Sequence, residues 1–385
     1  MLLAFPSVLV ALAYATGTFA VAASGTAFGF ATGTTGGGSA AAVTPTSLAQ
    51  VVSVLSDTTT RVINLDRIWD FTTYYGTVTG QYCKPWTCSP NPQYLLNSVS
   101  GCGSNTLYTA TYYKAGSETS LSVGSNKTIR GIGSNAGLKG IGLRIDGQTN
   151  VIVQNLRITD LNHQYVWGGD GISVFGSSQI WIDHNYIARV GRQFVTIAYN
   201  PLSVTLSNNY FDGTATYSTG CDGYHYWAFI MDGVNSQITF AQNYVYHTAG
   251  RGPHTGGTSG NKQYIHAYNN LWQNVKGHAF DVDTGSNVLL EGNQFVNVTT
   301  VDTGNTNGNM YYVDTVAQAD TPCTSTLGRT CEWNKYSSSG SLPLTRQATA
   351  VLTALKAYSN VNSYKPFGVT DVTAYVTANA GTGKV

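Results

Sequence analysis

The sequence predicts an all-β protein: a single-stranded right-handed parallel β-helix with an Asn ladder, a short N-terminal capping helix and a C-terminal tail. Three observations lead there. Charged residues are 10% of 385 where about 25% is usual, while Gly (43) and Tyr (25) are abundant, a mix that suits turns and strands rather than long helices. From Val62 to about Val298, short β-branched runs are broken every few residues by Gly, Asn, Asp or Ser. Within that region a pattern of apolar residue, two residues, Asn, apolar or aromatic residue recurs at Asn155, Asn185, Asn209, Asn243, Asn270 and Asn293, at intervals of 30, 24, 34, 27 and 23 residues.

Repeats of that length belong to solenoids or propellers. Blades need a longer and more even period, whereas a parallel β-helix tolerates loops of any length between its short strands. Bare turns of about 22–25 residues are expected, with loops bulging from one side and right-handed crossovers. One Asn at the same point of each turn would stack its amide on the next.

Taken in order, residues 1–23 carry no charged side chain and hold an apolar run from Leu2 to about Ala15, then small residues at Ala20, Ala22 and Ala23. They read as a secretory signal peptide, with Pro6 and the Thr16–Thr18 stretch leaving the run too short for a membrane span. The rest, 24–385, reads as one secreted, extracellular domain. Thr46–Leu55 places Leu48, Val51, Val52 and Leu55 at helical spacing behind an N-cap at Thr46 or Ser47, suited to cover the first turn. Ala348–Tyr358 is amphipathic and suits the other end. Thr303–Leu344, polar and Gly/Ser-rich, reads as an ordered loop and tail excursion.

Six cysteines in an exported chain favour disulfides. Spacing favours Cys83 with Cys102 and Cys323 with Cys331, leaving Cys88 for Cys221, although fifteen pairings are possible for six cysteines. Sequons stand at Asn126 and Asn297. A formal net charge of +1 gives no global field toward a polyanion, so neither nucleic acid nor an anionic membrane is an expected partner. A capped, near-neutral β-helix is expected to be a monomer.

Four segments bring charge or aromatic surface into this charge-poor chain: Val166–Ser173, Trp181–Gln193, Cys221–Trp227 and Gly250–Gly257. Stacked turns about 4.8 Å apart would set Asp170, Arg192 and Arg251 on adjacent turns of one face. Gly168, Gly169, Gly191, Gly250 and Gly252 would let the backbone approach a ligand.

The motifs VWGGDGIS, WIDHNYIARVGRQ, CDGYHYWAF, HTAGRGP and GHAFDVDTG, in this order and spacing, resemble the pectin lyases of the pectate lyase superfamily over nearly the whole mature chain. The resemblance implies a parallel β-helix with three disulfides that cleaves methyl-esterified pectin by β-elimination. Pectate lyases of the superfamily hold Ca²⁺ on carboxylates; their pattern puts Arg192 and Thr196 where two Asp would stand, while Asp170 is kept and would pair with Arg192. Calcium needs six to eight oxygen ligands, so no metal and no cofactor is expected. The resemblance places Arg251 as proton-abstracting arginine, with Arg192 and Asp170 as its electrostatic partners. It also gives Trp86, Trp167, Trp227, Tyr224 and Tyr226 as cleft aromatics that stack on sugar faces.

Where the family often has a basic residue after Arg251-Gly-Pro, this chain has His254 and a Gly/Thr-rich stretch, 255–261. His225 and His254 are expected near the cleft. His184 is expected to be a buried hydrogen-bonding residue, and His163, His247, His266 and His278 to be structural, as are Trp181 and Trp272. The competing readings are a Ca²⁺-dependent pectate lyase and a non-catalytic pectin-binding β-helix. A polygalacturonase is excluded by the absence of its Asn-Thr-Asp, Asp-Asp, Gly-His-Gly and Arg-Ile-Lys signatures.

Overall fold

The computed structural model describes residues 23–200, 202–314 and 321–385. The expected leader lies outside them apart from Ala23. Strands pair in parallel in two long sheets wound as a right-handed β-helix. One sheet has ten strands, from Ala42–Val43 through Ser178–Asp183 to Asn309–Tyr312. The other has two arms. One begins at Ile68–Asp70 and the other at Leu121–Val123, and they join where Leu271–Val282 runs through both.

The sequence dictates the bend between the ten-stranded sheet and its neighbour. On five successive turns a residue in the left-handed region, His184, Asn208, Gln242, Asn269 or Gly292, immediately precedes a buried Asn. Glycine and asparagine enter that region at the lowest steric cost. Asn185 Nδ2 donates to Asn209 Oδ1 at 3.0 Å, and the chain continues through Asn243, Asn270 and Asn293 at 3.0–3.1 Å. Each amide also donates to a carbonyl of the preceding turn, as Asn243 does to Leu206 O at 2.9 Å, so buried polar groups are paired.

Asn155 does not join the ladder. It takes the left-handed turning position itself (φ 60°), so Leu156 stands where the other turns place Asn. A member the repeat pattern missed, Asn334, closes the other end at 3.0 Å from Asn293. Thr303–Leu344 is therefore not merely an excursion: Asn309–Tyr312 and Lys335–Ser337 extend both sheets by another turn. Inside the coil, Phe211, Phe240, Trp272, Phe295 and Tyr336 stack in sequence with centroids 5.0–6.2 Å apart.

Trp181 is buried on the outside of the ten-stranded sheet, under the N-terminal segment with Ala27, Ala31 and Ile152. That segment docks on threonine hydroxyls: Phe30 N–H donates to Thr239 Oγ1 and Ala31 N–H to Thr205 Oγ1, both at 3.0 Å. A Cβ at Gly29 would stand 2.3 Å from Thr239 Oγ1, so only glycine passes there.

Helix α1, Leu48–Ser56, starts at Ser47, whose hydroxyl accepts from Gln50 N–H, and buries Val51, Val54 and Leu55 in the main core at the first turn. Helix α2, Ala350–Leu355, lies against the outer face of the last turns, on Leu289, Tyr311 and Val313. An antiparallel excursion, Thr77–Cys83 with Tyr94–Leu96 and Tyr108–Tyr113, leaves the coil before the strands that carry the site; nothing in the repeat pattern announced it. The three disulfides are Cys83–Cys102, Cys88–Cys221 and Cys323–Cys331, as spacing favoured. No helix among the described residues is long and apolar enough to cross a membrane.

Candidate active site

The strands Ile172–Phe175, Val195–Tyr199, Phe229–Gly233 and His254–Thr255 pair in parallel register. Asp170, Gln193, Trp227 and Arg251 therefore stand at one level on four successive turns. Arg192 is one residue before Gln193. The expectation of three adjacent turns fails for Arg251, because the 34-residue interval from Val195 to Phe229 carries a complete turn, and Trp227 lies between the arginines.

Asp170 and Arg192 do not meet as an ion pair. Asp170 Oδ1 accepts from Gln193 N–H at 2.9 Å and Oδ2 from the Thr196 hydroxyl at 2.8 Å. The Arg192 guanidinium lies over the Trp167 ring, 3.9 Å from its centroid. Burial raises the Asp170 carboxyl above its ordinary value, while the charge of Arg192 opposes that rise. Burial likewise lowers Arg192, and the charge of Arg251 adds to the lowering.

Arg251 sits in the left-handed region (φ 49°), as does Trp167 (φ 71°). Conformations this rare for large side chains persist where surrounding contacts enforce them. The Arg251 N–H donates to His278 Nε2 at 3.0 Å, and its carbonyl accepts from Phe229 N–H at 2.7 Å. The guanidinium lies over Trp227 at 4.9 Å; its Nη1 is buried without a hydrogen-bond partner among the described residues. Burial lowers its pKa. Desolvation beside an aromatic face disfavours the charged form of this guanidinium.

His225 is 3% exposed, so it supports the site from behind rather than facing a ligand. Its Nε2 reaches Arg192 O at 2.7 Å and Trp227 O at 3.0 Å, joining two turns, and burial pushes the imidazole down to about 4. Gln93, which no sequence signal marked, braces the same pair. Its Oε1 accepts from Trp227 Nε1 at 3.0 Å and its Nε2 donates to Gly191 O at 2.8 Å.

Trp86 meets Trp227 edge-on at 6.4 Å, and Tyr226 meets it at 4.9 Å, so both pack around Trp227. Tyr224 instead stacks on His247 at 3.6 Å beside Lys276. His254 Nδ1 lies 2.7 Å from Asp281 Oδ2, and Asp281 Oδ1 accepts from Thr303 and Asn305. That pairing holds Asp281 well below the usual carboxylate range. The sequence marked the motif around Asp281 but not its role.

His184 is half-buried and bonded to Asp183 at 2.6 Å, and His266 lies within a buried Glu291–Arg329 network. His278 exceeds its structural expectation by anchoring Arg251. Among the glycines, Gly191 serves backbone on backbone: a Cβ there would be 2.6 Å from Gly168 Cα.

A parallel β-helix that places one carboxylate, two guanidiniums and a row of aromatics along a single face has the design of a polysaccharide-acting enzyme. The family model described as pectate lyase matches residues 2–385, and the chain belongs to that family. It is 43% identical over 373 residues to a probable pectin lyase F-1 of Aspergillus terreus, covering 94% of this chain and 95% of that one. It is 40% identical over 383 residues to pectin lyase B of Emericella nidulans, covering 98% of each. Among solved structures, a pectate lyase bound to a hexasaccharide gives a TM-score of 0.61 at 17% identity, covering 93% of this chain and 97% of that one. A Bacillus subtilis pectate lyase mutant gives 0.60 at 17% identity, covering 96% and 99%. At that identity the structures bear on the fold alone.

Proposed function

We propose that the chain is a secreted pectin lyase that cleaves methyl-esterified polygalacturonan by β-elimination, without calcium, to 4,5-unsaturated oligogalacturonides. The observation that carries this reading is the Arg192 guanidinium over Trp167 beside Asp170, whose two oxygens already accept from Gln193 and Thr196. Calcium needs six to eight oxygen ligands. One engaged carboxylate, a hydroxyl and a guanidinium do not fit it.

The elimination removes the C5 proton of a galacturonosyl unit. The electron pair left behind delocalises onto the C6 carbonyl, then forms the C4–C5 double bond as the C4–O bond breaks. The leaving oxygen takes up a proton. With a free carboxylate at C6, the intermediate carries two negative charges and calls for a metal ion. With a methyl ester it carries one, which fixed cations can stabilise.

Arg251 takes the C5 proton, and Arg192 stabilises the enolate with Asp170 setting the local charge. Arginine is protonated in water at any ordinary pH; burial of Arg251 shifts it in the direction a base requires. Trp86, Trp167, Trp227 and Tyr226 offer flat faces to an uncharged chain. His254, held by Asp281, borders the same cleft. Residues 24–385 form the working domain after loss of the leader 1–23, as a monomer. Of the two sequons Asn297 is exposed while Asn126 is half-buried, so a glycan is expected at Asn297.

The test is ultraviolet absorbance of the unsaturated product during incubation with highly methylated pectin. Arg251→Ala should lower its formation at least about a hundredfold with an unchanged circular dichroism spectrum. Saturated reducing ends instead, or an undiminished rate in the variant, would overturn the assignment.

A further inference from the structure

A second cavity is bordered by the connection that follows Arg157–Leu161, and neither Arg192 nor Arg251 lines it. It has a volume of about 530 Å³, within the range of small-ligand sites, and Tyr112, Tyr113, Tyr165 and Tyr217 line it together with Gln164. The rings present faces at several tilts. Tyr112 and Tyr165 are 5.7 Å apart at 46°, and Tyr217 meets His163 at 5.4 Å and 51°. Behind them Tyr82 stacks on Tyr94 at 5.0 Å, which backs the wall with packed rings.

The charges at the cavity rim are already matched. Both oxygens of Asp160 are held by Arg189 at 2.5 and 3.0 Å, and Lys139 Nζ lies 2.8 Å from Asp70 Oδ2. Burial pushes the His163 imidazole below its ordinary value, so it is neutral at neutral pH. An anionic ligand would find no free cation there among the described lining residues. A ligand with one apolar face and a rim of hydroxyls matches aromatic walls edged by phenol, amide and threonine groups.

We propose that this cavity is a second saccharide site that takes a neutral pyranose unit. The connection that lines it with Gln164 and Tyr165 continues directly into Trp167 and Asp170 of the cleft. Gln93 joins the two, since its Nε2 donates to His163 O at 3.2 Å while its Oε1 accepts from Trp227 Nε1. A long polysaccharide held in the cleft would present its other units to the cavity at high effective concentration. The gain for long chains therefore rests on the functional reading above, whereas binding of a short neutral sugar does not.

The experiment uses 1,4-linked galactobiose as probe, followed by saturation-transfer NMR and titration calorimetry on the intact protein. Galactobiose should bind wild type and Arg251→Ala alike. Binding should be lost in Tyr113→Ala, an exposed position (40%), and in Thr111→Trp, which fills the cavity from its exposed edge. Both variants should cleave a short methylated oligogalacturonide at the wild-type rate while KM for long methylated pectin rises roughly threefold. No binding to wild type, equal binding in both variants, or loss of binding in Trp227→Ala, which would place the sugar in the cleft, overturns the proposal. Galactobiose binding by a protein that forms no unsaturated product from highly methylated pectin would instead refute the lyase reading and leave the second site standing.

Discussion

Asp170 and His225 are both titratable, and they move stability in opposite directions with pH. The folded-state pKa of Asp170 is raised, so the stability it confers is present at low pH and is lost as pH rises through that value. Asp170→Asn should therefore raise Tm at neutral pH while lowering the rate on methylated pectin; calorimetry beside a rate assay checks both. His225 is depressed from 6.5 to about 4, so its contribution is present above pH 6.5 and falls as the pH is lowered toward 4. The loss over that window is about 3 kcal/mol. His225→Gln keeps an amide donor for Arg192 O and Trp227 O without titrating, so its guanidinium midpoint should vary less with pH than that of wild type; identical slopes would remove His225 from the account. At this scale the sequence marked Asp170, Arg192 and Arg251 because charge is scarce. It left Gln93 unmarked and gave His278 only a structural place, since each acts through a hydrogen bond to a residue distant in the chain.

Among the elements, the Asn ladder was legible because one residue type recurs at the point where every turn bends. Its ends were not legible. At Asn155 the asparagine makes the turn itself, and at Asn334 the flanking segment is too polar to read as strand. Register with the neighbouring turn, not local composition, decides both. Asn243→Leu would remove the acceptor of Asn209 Nδ2 and leave Leu206 O without its donor, both buried. A cost of about 2–4 kcal/mol follows, read as a lowered denaturant midpoint with m unchanged. The disulfide Cys88–Cys221 ties the excursion bearing Trp86 to the loop bearing Trp227 across 133 residues. Cys88→Ser with Cys221→Ser should raise KM for pectin through loss of that aromatic contact, beyond the loss in Tm; an unchanged KM would separate Trp86 from substrate binding.

For the whole molecule, fold class and the face carrying the site followed from periodicity and from the few charged residues. The antiparallel excursion did not, because it lies outside the repeat and its strands pair with one another and with the connection Tyr165–Val166 rather than with the two long sheets. The repeat gave the face but not the spacing along it. Arg251 is separated from Arg192 by the turn of Trp227, so the cleft is longer than three adjacent turns would make it. On the proposed reading, its chemistry rests on fixed cations in place of a metal ion. The most direct test is the rate of unsaturated-uronide formation from highly methylated pectin in excess EDTA, beside the rate on de-esterified polygalacturonate with added Ca²⁺. Fixed guanidiniums predict full activity on the methylated polymer in EDTA and little on the acid polymer with or without calcium. Activity confined to polygalacturonate and abolished by EDTA would contradict it.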